Sequence, residues 1–135
     1  MKTVKTIIAG LLLIGLVPIS AMAQKKAEVI AVINRADWCP ICQANGKRAN
    51  MVFKKNNMNG DILFVTNDLT NTQTKNKSAE MLKKYGLDKV MMNHESTGMV
   101  FFFNPKTKEL IDQISASRTN PELVAAMHEA EKSVD

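Results

Sequence analysis

Cysteine, histidine and tryptophan are scarce in this chain: among 135 residues there are two cysteines, two histidines and one tryptophan. With His94 and His128 far apart in sequence, the spacing is far from that of a zinc finger, and a closed zinc site is not expected. No proline occurs between Pro40 and Pro105. No internal repeat or low-complexity tract is present, and no second domain fits the length. A membrane-spanning segment is not expected either. The one long uncharged run, residues 7–17, has about eleven residues where a spanning helix needs about 20. No cysteine stands directly after that run, so nothing marks a lipidated start. Charge of one sign is not concentrated either. Setting aside Lys2 and Lys5, the 18 basic residues fall to 16 against 13 acidic ones, and pairs such as Lys54-Lys55 and Lys83-Lys84 are scattered. Such pairs read as solvated helix surface, not as a stripe for nucleic acid.

What is present begins with a start unlike the rest. Lys2 and Lys5 precede the apolar run, and Pro18, Ser20 and Ala21-Met22-Ala23 follow it. A positive start, a short apolar stretch and a small-residue ending make a secretory signal peptide, with cleavage expected after Ala23. The mature chain is then residues 24–135, one domain, expected in the periplasm or outside the cell. There the two cysteines can persist as a disulfide.

Along the mature chain, residues 29–33 form a β-branched run of buried-strand type. The segment Trp38-Cys39-Pro40-Ile41-Cys42 follows directly. Residues 41–55 predict a helix, with Ala49, Val52 and Phe53 on one face and Gly46 weakening its interior. Residues 62–65 read as a second strand, completing a unit that normally makes two parallel strands. Residues 66–77 are polar, lack periodicity and predict a surface loop, with a helix over 78–85 stopped by Gly86. An irregular stretch is expected over 87–98, then a central strand over 99–103 and a hairpin partner over 109–114. Asn120 and Pro121 open a last helix as cap and first residue, its stripe being Leu123, Met127 and Ala130.

The cysteine pair with its preceding Trp38 and intervening Pro40, placed between a strand and a helix, resembles the active-site segment of the thioredoxin superfamily. The resemblance covers residues 28–132, and Lys84-Tyr85-Gly86-Leu87 looks like the end of that family's second helix. It implies an α/β fold in the order β-α-β-α-β-β-α, with a central mixed four-stranded sheet flanked by helices. Two features depart from the family. Ile33 stands six residues before Cys39, where many thioredoxins carry a buried acid. The family's cis-proline beside the active site has no counterpart; its place falls near Thr97-Gly98, or near Val90-Met91, and Thr97 is the candidate stand-in.

The chemistry expected of Cys39 and Cys42 is thiol–disulfide exchange. A cysteine at a helix N-terminus is held as thiolate by unpaired amides and the helix dipole, which makes Cys39 the attacking sulfur. Cys42, one turn along, resolves the mixed disulfide. Trp38, Pro40 and Thr97 are the candidate substrate contacts, with an exposed Cys39 sulfur between Trp38 and the Thr97 loop. No cofactor beyond the Cys39–Cys42 disulfide is implied. The partners would be thiol or disulfide proteins and a separate periplasmic or membrane redox partner, with no stable anchor in the chain itself. A purely stabilising role suits the pair poorly, since closing so short a loop constrains the unfolded chain little. The alternative is a periplasmic copper chaperone. Thiolates with nearby thioether and imidazole suit Cu(I), and Cys39, Cys42 and His94, near Met91, Met92 and Met99, would be the ligands. Sco-type copper chaperones pair two cysteines with a later histidine, although their cysteines are three residues apart.

Overall fold

A computed structural model describes residues 26–134, so the signal-peptide segment 1–23 lies outside the described residues. The elements are β1 (Val29–Arg35), α1 (Pro40–Asn56), β2 (Ile62–Asp68), α2 (Thr72–Lys84), the single-turn α3 (Asp88–Met91), β3 (Met99–Phe103), β4 (Leu110–Ser115) and α4 (Asn120–Lys132). The four strands form one mixed sheet in the order β2-β1-β3-β4. β1 lies parallel to β2, from Val29 opposite Ile62 to Arg35 opposite Asp68. It lies antiparallel to β3, pairing Ile30 with Phe103 and Asn34 with Met99. β3 and β4 form the antiparallel hairpin, with a register shift at Phe102/Phe103. The expected fold class and element order are those observed, with one added helical turn.

Because side chains alternate across a strand, β1 and β3 feed both faces of the sheet. Val29, Ala31, Val100 and Phe102 meet Ala49, Val52 and Phe53 of α1 and Leu123, Met127 and Ala130 of α4 in one cluster. Ile30, Val32, Phe101 and Phe103 meet Leu82, Leu87 and Met91 in the other, under α2 and α3. This two-sided burial is why the run Met99–Phe103 is apolar without alternation.

The structure corrects three local expectations. The loop expected over residues 66–77 shrinks to 69–71: β2 continues to Asp68, and α2 starts at Thr72. The polar residues that hid this helix are its start signal. Asn71 accepts from the Thr74 N–H while Thr74 Oγ1 accepts from the Asn71 N–H, a capping box built with threonine. Only Ser78 and Leu82 of α2 are buried, so it carries no long apolar stripe, and the Ser78 hydroxyl accepts from the Asp68 N–H. At α4 the cap is Thr119, paired reciprocally with Glu122, and not Asn120. Asn120 Oδ1 instead accepts from Arg48 of α1. Finally, the stretch expected to be irregular contains α3, whose Met91 enters the core.

Candidate active site

The site forms where β1 delivers the chain into α1. Cys39 is the helix N-cap, with extended backbone (φ −82°, ψ 115°), and Pro40 is the first helical residue, where a missing N–H is harmless. The Cys39 Sγ accepts from the Cys42 N–H at 3.2 Å, so the sulfur serves where a serine or aspartate oxygen commonly caps a helix. Cys39 and Cys42 are joined as a disulfide, their Cα atoms 5.2 Å apart. A donor aimed at the sulfur and a helix start behind it both favour a negative charge on Cys39 once the bond is reduced.

Access differs from the expected picture. Cys39 is only 1% exposed, whereas Cys42 is half-buried and lines a cleft of about 270 Å³ along α1. The cause is Gly98. A Cβ at Gly98 would stand 2.7 Å from Ile41 Cγ2 and 3.5 Å from the Cys39 Sγ, so only a residue without a side chain lets this loop close over the sulfur. Its φ of +74° is also one that glycine alone adopts without strain. Gly98, not Thr97, is therefore the residue set against the disulfide; Thr97 is its half-buried neighbour. The alternative position, Val90-Met91, falls in α3 and its core contact.

Trp38 is 60% exposed, and its indole Nε1–H donates to the Thr70 carbonyl at 3.1 Å. That carbonyl is held by a small network. Asp68 Oδ1 accepts from the Thr70 N–H, Thr70 Oγ1 accepts from the Asp37 N–H, and Arg35 bridges Asp68 and Asp37. For Asp68, burial pushes the carboxyl up, but the hydrogen bonds from Thr70 and the Arg35 charge outweigh it and hold the group below its usual range. Arg35 is raised, chiefly through its hydrogen bond to Asp37.

Ile33 stands in the wall of the Cys42 cleft, together with Asp37, Lys47 and Thr66. In place of a buried acid, then, the half-buried sulfur adjoins an open cleft with charged residues at its walls.

The structure does not bring His94 to the cysteines. Its ring packs on Phe101, centroids 4.9 Å apart, and Phe101 belongs to the core under α2 and α3, across the sheet from α1. Among the described residues no group of three His, Cys, Asp or Glu side chains could hold a metal.

The sequence pointed to Thr97-Gly98 but favoured Thr97 over Gly98, and it did not reveal the Asp68–Thr70 support of Trp38 or a buried polar pair, Asn34 and Asn67. One signal was present: Asn34 follows Ile30 and Val32 at strand spacing, an amide on a buried face.

No protein-family model matches this chain, and no curated protein matches it. Among solved structures, the crystal structure of Trxlp from Edwardsiella tarda EIB202 is similar at a TM-score of 0.50 and 11% identity, over 75% of this chain and 82% of that one. A thioredoxin from Malassezia sympodialis (Mala s 13) is similar at a TM-score of 0.48 and 14% identity, over 78% of this chain and 79% of that one. The fold is thioredoxin-like, with a Cys-x-x-Cys pair at the start of its first helix.

Proposed function

We propose that the protein is a thiol–disulfide oxidoreductase that acts on exported proteins in the periplasm or outside the cell. The observation that carries this reading is the Cys39 sulfur at the N-cap of α1, receiving the Cys42 N–H and bonded to the Cys42 sulfur. In the reducing direction the Cys39 thiolate attacks a substrate disulfide, forming a mixed disulfide and expelling one substrate thiolate, which takes a proton. The Cys42 thiolate then attacks the Cys39 sulfur, expels the second substrate thiol and closes the Cys39–Cys42 bond. Two electrons leave the protein and reduce the substrate, and a dithiol partner must return them. Every step is reversible, so the relative stability of dithiol and disulfide sets the direction.

Export is supported by the pattern of residues 2–23. No helix among the described residues is long and apolar enough to cross a membrane. Trp38, Pro40 and Thr97 remain the proposed substrate contacts, Trp38 on the strength of its exposure.

Single-cysteine variants test the reading. Offered a disulfide-bonded protein, Cys42→Ser should accumulate a mixed disulfide through Cys39, and Cys39→Ser should trap none. A trap formed only by Cys39→Ser would reverse the two roles. A wild-type protein that neither reduces nor oxidises a partner in glutathione buffers would sink the proposal.

A further inference from the structure

The loop against the disulfide is held by side chains that the exchange chemistry does not use. Asn34 lies at the end of β1 on the face under α2 and is fully buried. Its Nδ2 donates to the His94 carbonyl at 2.7 Å and to the Ser96 carbonyl at 3.1 Å. Its Oδ1 accepts from Asn67 Nδ2 at 2.9 Å, and its own backbone carbonyl accepts from the Gly98 N–H at 2.8 Å. The amide orientation is forced: two carbonyl oxygens face one end, so that end must be the NH₂ group, and Asn67 must then donate to the other. Both donors and the acceptor of the Asn34 amide are used. A buried amide is costly unless satisfied, and one satisfied this fully admits a single arrangement of its partners.

We propose that Asn34, braced by Asn67, is a positioning residue for disulfide exchange. It fixes residues 94–98 so that Gly98 closes on Cys39 and the adjoining backbone meets the substrate in one geometry. This rests on the exchange reading above. With no proline between Pro40 and β3, another device sets that loop, and the carbonyls of His94 and Ser96 are where it takes hold. A leucine at position 34 would keep the number and branching of side-chain heavy atoms and leave two carbonyls and the Asn67 amide without partners.

The test compares wild type with Asn34→Leu and Asn67→Leu. Two readings are taken: steady-state reduction of insulin with dithiothreitol as reductant, and hydrogen exchange at the Gly98 amide. Asn34→Leu should raise KM for insulin about tenfold with kcat within about twofold, the pattern of lost uniform binding. Its Gly98 amide should exchange at least about tenfold faster, the equivalent of roughly 1.4 kcal/mol in local opening. Asn67→Leu keeps both loop bonds and should show the same changes, several-fold smaller. Should Asn34→Leu not fold, Asn67→Leu decides alone. Folded variants with unchanged KM and unchanged Gly98 exchange overturn the proposal, as does a loss confined to kcat or to thermal stability. If wild type itself turns over no insulin, the exchange reading fails, and the Gly98 exchange rates still decide whether Asn34 holds the loop.

Discussion

Gly98 shows how much one missing methyl group can decide. A Cβ there would lie 2.7 and 2.8 Å from Ile41 atoms, on a backbone whose φ is +74°. Gly98→Ala must therefore push the loop from α1 as well as bear the left-handed strain, and should lose about 1–3 kcal/mol in urea unfolding. The same displacement should expose Cys39, so iodoacetamide should alkylate the reduced variant faster than wild type. Asp68 gives a pH dependence. Its carboxyl is held below the ordinary range against the pull of burial, by Thr70 and Arg35. A depressed carboxylate contributes stability that is fully present above the unfolded value, about 3.9, and is lost as pH falls through the folded one. Melting temperatures measured from pH 7 down to 2 should therefore fall on the acid side, less steeply in Asp68→Asn. The pair is partly exposed, so the difference should be modest, about 0.2–1 kcal/mol.

Helices carry their own tests. Removing the Asn71 cap of α2 (Asn71→Ala) should cost about 1 kcal/mol, because so little of that helix is buried to compensate. Gly46→Ala in α1 meets nothing within 4 Å and should stabilise by about 0.5–1 kcal/mol, by the difference in helix propensity. Both are read by denaturant midpoints. The contrast between these helices explains what was legible in the sequence. α1 and α4 bury a continuous stripe, so periodicity announced them. α2 announced itself only through caps, whose Asn, Thr and Ser residues look like loop composition. The strands were legible because both faces of β1 and β3 are covered. The cysteine pair was legible from spacing and position. Its surroundings were not: Gly98 closes on Cys39 through tertiary approach, and Asn34 meets Asn67 across parallel strands, pairings that no local pattern encodes. Covering by Gly98 is also why the Cys39 sulfur, expected to be exposed, is buried.

At the scale of the whole molecule, the parallel pairing of β1 with β2 gives the sheet two distinct ends. β1 begins at Val29 at one end and releases the chain toward Cys39 at the other, seven residues at about 3.3 Å each, or roughly 20 Å along the strand. Lys26 and Val134 line one shallow cleft with Asn104 and Pro105, so the first and last stretches of the described chain meet beside the start of β1. The Cys39–Cys42 disulfide thus sits at the far pole from both. A bead, dye or fused domain coupled beside Lys26 or beyond Val134 should leave insulin turnover within about twofold of the free protein, since a remote flexible tether changes little in encounter geometry. A graft at Lys47, in the wall of the Cys42 cleft, should abolish most of it. The molecule can therefore be leashed from one pole and still leave the Cys42 cleft free at the other, much as a probe is mounted by its handle.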